Sequence, residues 1–311
     1  MRPAELVLGS VQLGVPYGAA NKTGKPSRES AIRLVHRAAD RGVREFDTAR
    51  AYGDSEERLG DALCERKFVR AITKLSPLSD LNSSSSKDSV RAAVDASITH
   101  SLAALKRTTL DCLLLHRAAH MTAFGGAVWE RLIERLEDGT VLALGVSVQS
   151  PDEAHDALAN PDVRHIQMPF NLLDWRWREA RTIAAIEARP HLTVHARSVF
   201  LQGLLAADDA SVWPKIAGVD ASALIRAIAN LAREYGREGT ADLCLAYARS
   251  QPWIDGVVVG METEDQLDAN LHLCARPPLS PEASAEIEAA LPRVPEQLLN
   301  PALWPQTQPK A

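Results

Sequence analysis

The chain has 311 residues, 46% of them hydrophobic and 24% charged, with a formal net charge of -5. That length buries a large core without staples, and a mildly acidic balance argues against nucleic acid, whose backbone demands a concentrated basic surface. The cysteines at 64, 112, 244 and 274 form no CxxC pair, against zinc or thioredoxin-like chemistry, and no run reaches the ~20 apolar residues of a membrane helix or resembles a signal peptide, so a cytoplasmic protein is expected.

Short apolar runs recur along the chain at Leu6–Leu8, Val43–Phe46, Val69–Thr73, Asp111–Leu115, Val141–Val146, His165–Met168, Leu192–His195 and Ile254–Val259. Most are continuous rather than alternating, as strands buried on both faces of a parallel sheet are. Helical patterns lie between them. Ser30–Arg41 places Ile32, Val35 and Ala39 on one face and stops at Gly42; Ser55 reads as the N-cap of Glu56–Cys64. Lys87–Leu105, Gly126–Leu136, Asp152–Leu158, Trp177–Ala188, Ala241–Ser250 and Glu264–Cys274 follow. Strands and helices alternating in this way predict an α/β chain folded as one (β/α)8 TIM barrel domain. The long gap after the seventh strand holds an extra helix, about Ala221–Tyr235. A last helix, about Pro281–Leu291, precedes a Pro-rich tail over 295–311 expected to be surface-bound or loose. The serine run Ser83–Ser86 reads as a flexible loop. There is no GxGxxG, so a Rossmann-type site has no support.

Barrels of this kind gather function at the carboxyl ends of their strands. Asp47 and Tyr52 follow the second strand, Lys74 ends the third and His116 the fourth. Taken singly, each has a plainer role: a loop cap, an anchoring aromatic, a solvated charge, a core histidine. Together, on one rim, they form an acid–base set. A tyrosine is normally too weak an acid at pH 7, its pKa being about 10. A lysine cation ~4 Å away in a partly buried site contributes roughly 4 kcal/mol. Lys74 is expected to act on Tyr52 in this way. Asp47 would hold Lys74 charged, and His116 would give the substrate oxygen a second hydrogen bond.

The stretch Phe46-Asp47-Thr48-Ala49-x-x-Tyr52-Gly53-x-Ser55-Glu56-x-x-Leu59-Gly60 resembles the aldo-keto reductase motif around the catalytic Asp and Tyr. Thr73-Lys74 and Leu113-Leu114-Leu115-His116 are similar to that family's lysine and histidine strands. The resemblance, which runs from about Leu6 to Leu271, implies hydride exchange between a nicotinamide cofactor, NAD(P)(H), and an aldehyde, ketone or sugar. It implies that Ser147 and Gln167 contact the carboxamide. Arg197, Ser198 and Gly203 would belong to the cofactor loop of the seventh strand. Gly260, Glu262, Thr263, Gln266 and Asn270 would hold the adenosine end.

Three residues depart from the family pattern. Val148 stands where many members have Asn, and Arg197 where many place a ring-stacking tyrosine. Arg197 could stack on the ring, pair with the pyrophosphate or meet a substrate anion, and the sequence leaves these open. Gly260–Gln266 holds three carboxylates and no cation for a 2′-phosphate. Glu262 therefore shifts the expectation toward NAD(H), since a glutamate can accept from a free ribose hydroxyl. The alternative is a cofactor-binding regulatory or interaction subunit that retains the fold. A metal-dependent barrel hydrolase needs His-x-His or clustered carboxylates at strand ends, which are absent from the sequence, so no metal is expected. The expected partner is a small-molecule carbonyl or sugar, with neither nucleic acid nor membrane; oligomeric state is unreadable.

Overall fold

A computed structural model describes residues 3–305 apart from positions 22 and 67. Its strands are β1 (Glu5–Gly9), β2 (Glu45–Asp47), β3 (Arg70–Lys74), β4 (Cys112–Leu115), β5 (Leu144–Ser147), β6 (Val163–Pro169), β7 (Thr193–Arg197) and β8 (Gly256–Gly260). All run parallel and close in chain order, with β1 hydrogen-bonded to β8. This is the (β/α)8 barrel expected from the apolar runs.

The helices are α1 (Val11–Gly14), α2 (Arg28–Asp40), α3 (Ser55–Leu63), α4 (Lys87–Leu105), α5 (Ala127–Glu137), α6 (Pro151–Leu158), α7 (Ala180–Glu187), α8 (Ala221–Glu234), α9 (Thr240–Arg249), α10 (Glu264–Ala275), α11 (Pro281–Ala290) and α12 (Glu296–Leu299). Their apolar faces and the outward strand residues build the main core layer around the barrel, from Leu34 and Phe46 to Tyr247 and Leu267. The extra helix is α8, and α8 and α9 together fill the long gap between β7 and β8.

Successive strand residues point to opposite faces. Glu45 and Asp47 share one face of β2, Arg70, Ile72 and Lys74 one face of β3, His165 and Gln167 one face of β6. Contacts between these sets across the barrel, such as Gln167 to Asp47, show that this face is the interior. Two glycines make room there: a Cβ at Gly256 would sit 2.8 Å from the His195 ring, and one at Gly145 the same distance from the His165 Cβ.

Several local expectations change. Ser55 is the first residue of α3 rather than its cap; its hydroxyl donates to the Ser10 carbonyl at 2.9 Å. Ser86, at the end of the serine loop, is the cap of α4 and accepts from Ser89 N. The helix expected from Trp177 begins only at Ala180. Trp175–Arg178 forms a 3-10 turn, held by a buried Arg176–Asp174 ion pair and the wholly buried Trp177. Of the two states expected for the tail, surface-bound or loose, its described part is docked: Leu298 and Leu299 are buried, and Trp304 Nε1 donates to Leu298 O at 2.9 Å. Residues 306–311 of that tail lie outside the described residues. Among the described residues no helix is long and apolar enough to cross a membrane.

Candidate active site

The carboxyl ends of the strands surround a cavity of about 920 Å³, within the range of small-molecule sites. Every residue given a catalytic or cofactor role from the sequence lines it, except Lys74 and Thr263.

Asp47 ends β2 and Lys74 ends β3, on facing interior positions. Lys74 Nζ donates to Asp47 Oδ1 at 2.8 Å and Oδ2 at 2.6 Å, and to the Thr48 carbonyl at 2.9 Å. All three of its donors are engaged, and both side chains are about 95% or more buried. Burial, the largest single influence, pushes the Lys74 pKa down, but the charge of Asp47, the nearby Tyr52 hydroxyl and the hydrogen bond to Asp47 together outweigh it and the net shift is upward. Gln167 Nε2 donates to Asp47 Oδ2 at 2.6 Å, tying β6 to the same carboxylate. Lys74 therefore reaches Tyr52 through space, its Nζ 5.1 Å from the ring centroid.

Tyr52 sits on the tight loop between β2 and α3. Two glycines set its position. Gly53 has φ +58, and a Cβ on Gly14 would run into the Tyr52 carbonyl oxygen, so α1 and this loop approach as only glycine allows. Behind the loop Glu56 is fully buried, accepting from Thr73 Oγ1 at 2.5 Å and Arg50 Nη1 at 2.5 Å. The His116 ring meets Tyr52 edge-on with centroids 5.8 Å apart. Burial, reinforced by Lys74, holds its imidazole at about 4, so it is neutral at pH 7 and keeps one N–H to donate.

The other residues fall on two loops. After β7, positive φ angles crowd together at Ser198, Leu201, Gln202 and Gly203. Such a conformation is costly and persists only where packing enforces it. Leu201, Leu204 and Leu205 are buried beneath it, and Asn171 Nδ2 donates to the Ser198 carbonyl at 3.4 Å. Opposite lies Ala20, 2.8 Å from where a Cβ on Gly203 would be. After β8, Glu262 and Gln266 face the cavity. The backbone N–H of Glu262 donates to Gln266 Oε1, and Thr263 caps α10 by accepting from Gln266 N. Thr263 lines instead an adjoining cavity of about 330 Å³ with Glu262 and Arg33, and Arg33 lies 3.7 Å from Glu264.

Arg197 leaves the end of β7 and forks onto β5: Nη2 donates to Val148 O at 3.2 Å and Gln149 Oε1 at 2.8 Å. Gln149, Gln12, Tyr17 and Arg117 also line the cavity, and no sequence motif singles them out. Gln12 is wedged where a side chain at Gly260 would stand, so the bare glycine at the end of β8 is the only signal for it. Trp175 and Trp177 do not line the cavity; Trp175 Nε1 donates to Val294 O, and both are packing residues. Three buried amide atoms of residues lining this space have no partner among the described residues: Gln12 Oε1, Gln167 Oε1 and Gln149 Nε2.

The family model described as Aldo/keto reductase family matches residues 5–292. The chain is 34% identical over 135 residues to a protein named 6-dehydroglucose reductase from Novosphingobium aromaticivorans, covering 40% of this chain and 43% of that one. It is 28% identical over 162 residues to aldo-keto reductase YhdN of Bacillus subtilis, covering 50% and 48%. The matched stretches thus span less than half the length of these curated relatives. Among solved structures, aldo-keto reductase AKR11C1 from Bacillus halodurans, in its holo form, superposes with a TM-score of 0.73 over 96% of both chains at 21% identity, sharing the fold.

Proposed function

From the premise that this chain belongs to the aldo/keto reductase family, we propose that it is a nicotinamide-dependent oxidoreductase of aldehydes, ketones or sugars, with Tyr52 as its acid and base. One observation carries this reading: Tyr52 and a neutral His116 stand edge to face at the mouth of a cavity, above a buried Lys74–Asp47 pair. The cofactor fits the donor set. The two orphan acceptors, Gln12 Oε1 and Gln167 Oε1, and the orphan donor Gln149 Nε2 suit a carboxamide and ribose hydroxyls. Gln149 offers the side-chain amide that Val148 lacks. Ser147, Ser198, Gly203, Gly260 and Asn270 would complete the cradle. When bound, the nicotinamide supplies or accepts a hydride at the carbonyl carbon.

The chain's own residues then handle the oxygen. In reduction the Tyr52 hydroxyl gives its proton to the carbonyl oxygen, and in oxidation the same oxygen atom takes it back. The Lys74 cation favours the negative charge left on Tyr52. Asp47 keeps Lys74 charged and still, with Gln167 holding Asp47 from the far wall. His116 donates its N–H to the same carbonyl oxygen, where charge develops.

Glu262 supports a preference for NAD(H). Glu262, Glu264 and Asp265 stand against one cation, Arg33, in the adjoining cavity. Cofactor dissociation constants should favour NADH, and Glu262→Arg should shift them toward NADPH. An NADPH preference already present in the wild type and unchanged in Glu262→Arg overturns this point. For the catalytic reading, NADH oxidation with 4-nitrobenzaldehyde should fall about 10²–10⁴-fold in Tyr52→Phe. Cofactor binding without turnover across a panel of carbonyls and sugars would favour a regulatory subunit instead.

A further inference from the structure

We propose that the substrate is anionic, a carbonyl compound bearing a carboxylate or phosphate that Arg197 and Arg117 receive; this rests on the reductase reading of the cavity. Arg197 and Arg117 come from opposite sides of the barrel, after β7 and β4, and both line the same cavity as Tyr52 and His116. Neither has an acidic partner among the described residues. Arg197 is half-buried and held by neutral acceptors, Val148 O and Gln149 Oε1, both on Nη2; its Nη1 makes only a 3.4 Å contact with Ser198 Oγ. The neighbouring carboxylate, Asp47, is already matched by Lys74.

The reacting end of the cavity thus holds one balanced pair and two guanidinium charges with no counter-ion. Both charges reach His116, where they add to burial and Lys74 in keeping the imidazole neutral. A neutral carbonyl gains nothing from such an arrangement, which partly desolvates Arg197 without pairing it, while Arg117 is exposed. A carboxylate or phosphate gains charge-assisted, fork-shaped hydrogen bonds. The cofactor pyrophosphate is the less suitable partner. Arg197 is drawn toward the residues that follow β5, and Arg117 follows His116 after β4, away from the β7 and β8 loops expected to hold the dinucleotide. Apart from Asp47, the cavity's carboxylates, Asp208, Asp209 and Glu262, stand on those two loops. The charges are therefore sorted, with cations beside the reacting groups.

The test compares matched substrates with the cofactor-loaded enzyme: D-glucuronate against D-glucose for a carboxylate, and glyceraldehyde 3-phosphate against glyceraldehyde for a phosphate. At least one pair should show a kcat/KM ratio of roughly tenfold or more in favour of the anion. Arg197→Gln and Arg117→Gln should each cut that ratio about tenfold, the loss of one charge-assisted contact, and Arg197→Lys should restore part of it. Ratios near one in both pairs, or ratios that neither variant moves, overturn the proposal while leaving the reductase reading intact. If no carbonyl turns over, that reading falls, and titration calorimetry decides the anion site separately. D-Gluconate or inorganic phosphate should then bind the cofactor-loaded chain, more weakly in Arg117→Gln. Absence of binding, or binding insensitive to Arg117, overturns it.

Discussion

Two polar clusters share the barrel interior, offset by two residues on β2 and β6, the strands that contribute to both. The upper one joins Asp47, Lys74 and Gln167; the lower one joins Cys112, His165, His195 and Glu45. In the lower set Cys112 Sγ lies 3.5 Å from His165 Nδ1, the two histidine rings meet edge-on at 4.3 Å, and His195 Nε2 is 3.0 Å from Glu45 Oε2. Burial, then His195, holds the His165 pKa well below the usual histidine value, and burial pushes the Cys112 thiol up to about 12. By burial and displaced titration alone, the lower cluster is as unusual as the upper one. Yet His165 Nε2 and His195 Nδ1 have no partner among the described residues, and none of the four residues lines the cavity. Asp47 and Lys74 are satisfied and stand directly under Tyr52. Shifted titration marks desolvation; access to a cavity is what separates chemistry from packing.

The sharpest way to break this comparison is Lys74→Met. It leaves the Asp47 carboxylate buried without its cation, which costs about 3–5 kcal/mol, read as a lower midpoint in urea denaturation, together with loss of carbonyl turnover. A loss below ~1 kcal/mol would mean the upper pair is no more demanding than the lower cluster.

Acid should stress His116, beside the upper cluster, and the lower cluster in the same direction. A histidine whose folded pKa is depressed stays neutral in the fold while the unfolded chain takes up the proton. Stability is therefore full above the ordinary histidine pKa and falls as pH drops from ~6.5. For His116 the loss runs down to about 4, on the order of 3 kcal/mol in all. His165 adds a loss of the same sign. Unfolding free energies measured from pH 7 to 4 should slope accordingly, and His116→Gln should flatten the slope. A profile unchanged in that variant would refute the assignment.

Gly14→Ala perturbs the upper region by geometry alone. Its methyl collides with the Tyr52 carbonyl, costing about 1–3 kcal/mol and lowering kcat by up to ~10²-fold through misplacement of the tyrosine. Unaltered kcat would show that the Tyr52 loop is not held where the two glycines place it. The smallest effect is expected below. His165→Leu conserves volume and removes the orphan nitrogen, so stability should change by less than about 1.5 kcal/mol and turnover should stay as in the wild type. Loss of activity in this variant would tie the lower cluster to the chemistry.

Much of this molecule is legible along the chain. A strand covered on both faces is largely apolar, so most of the barrel strands stand out as continuous runs. The residue that ends such a run must lie on the rim, which is why Asp47, Lys74 and His116 could be placed beforehand. Local rules failed where a side chain is engaged by something remote. Ser55 has a cap's sequence context, but its hydroxyl is taken by Ser10, forty-five positions upstream. The apolar period through Trp177 suggests a helix, but the buried Asp174–Arg176 pair holds a tighter turn.

The sequence by itself determined the order of strands and helices, the rim residues and the acidic loop after β8, because each is written in local period and composition. Only the closed barrel decided that Gln12 of the first loop lies against Gly260 of the last strand, that Gln149 stands beside Arg197, and that Arg117 and Arg197 line one cavity with Tyr52. The reason is physical: pairing β1 with β8 joins ends of the chain about 250 residues apart, and side chains brought together by that closure carry no mutual signal in their spacing.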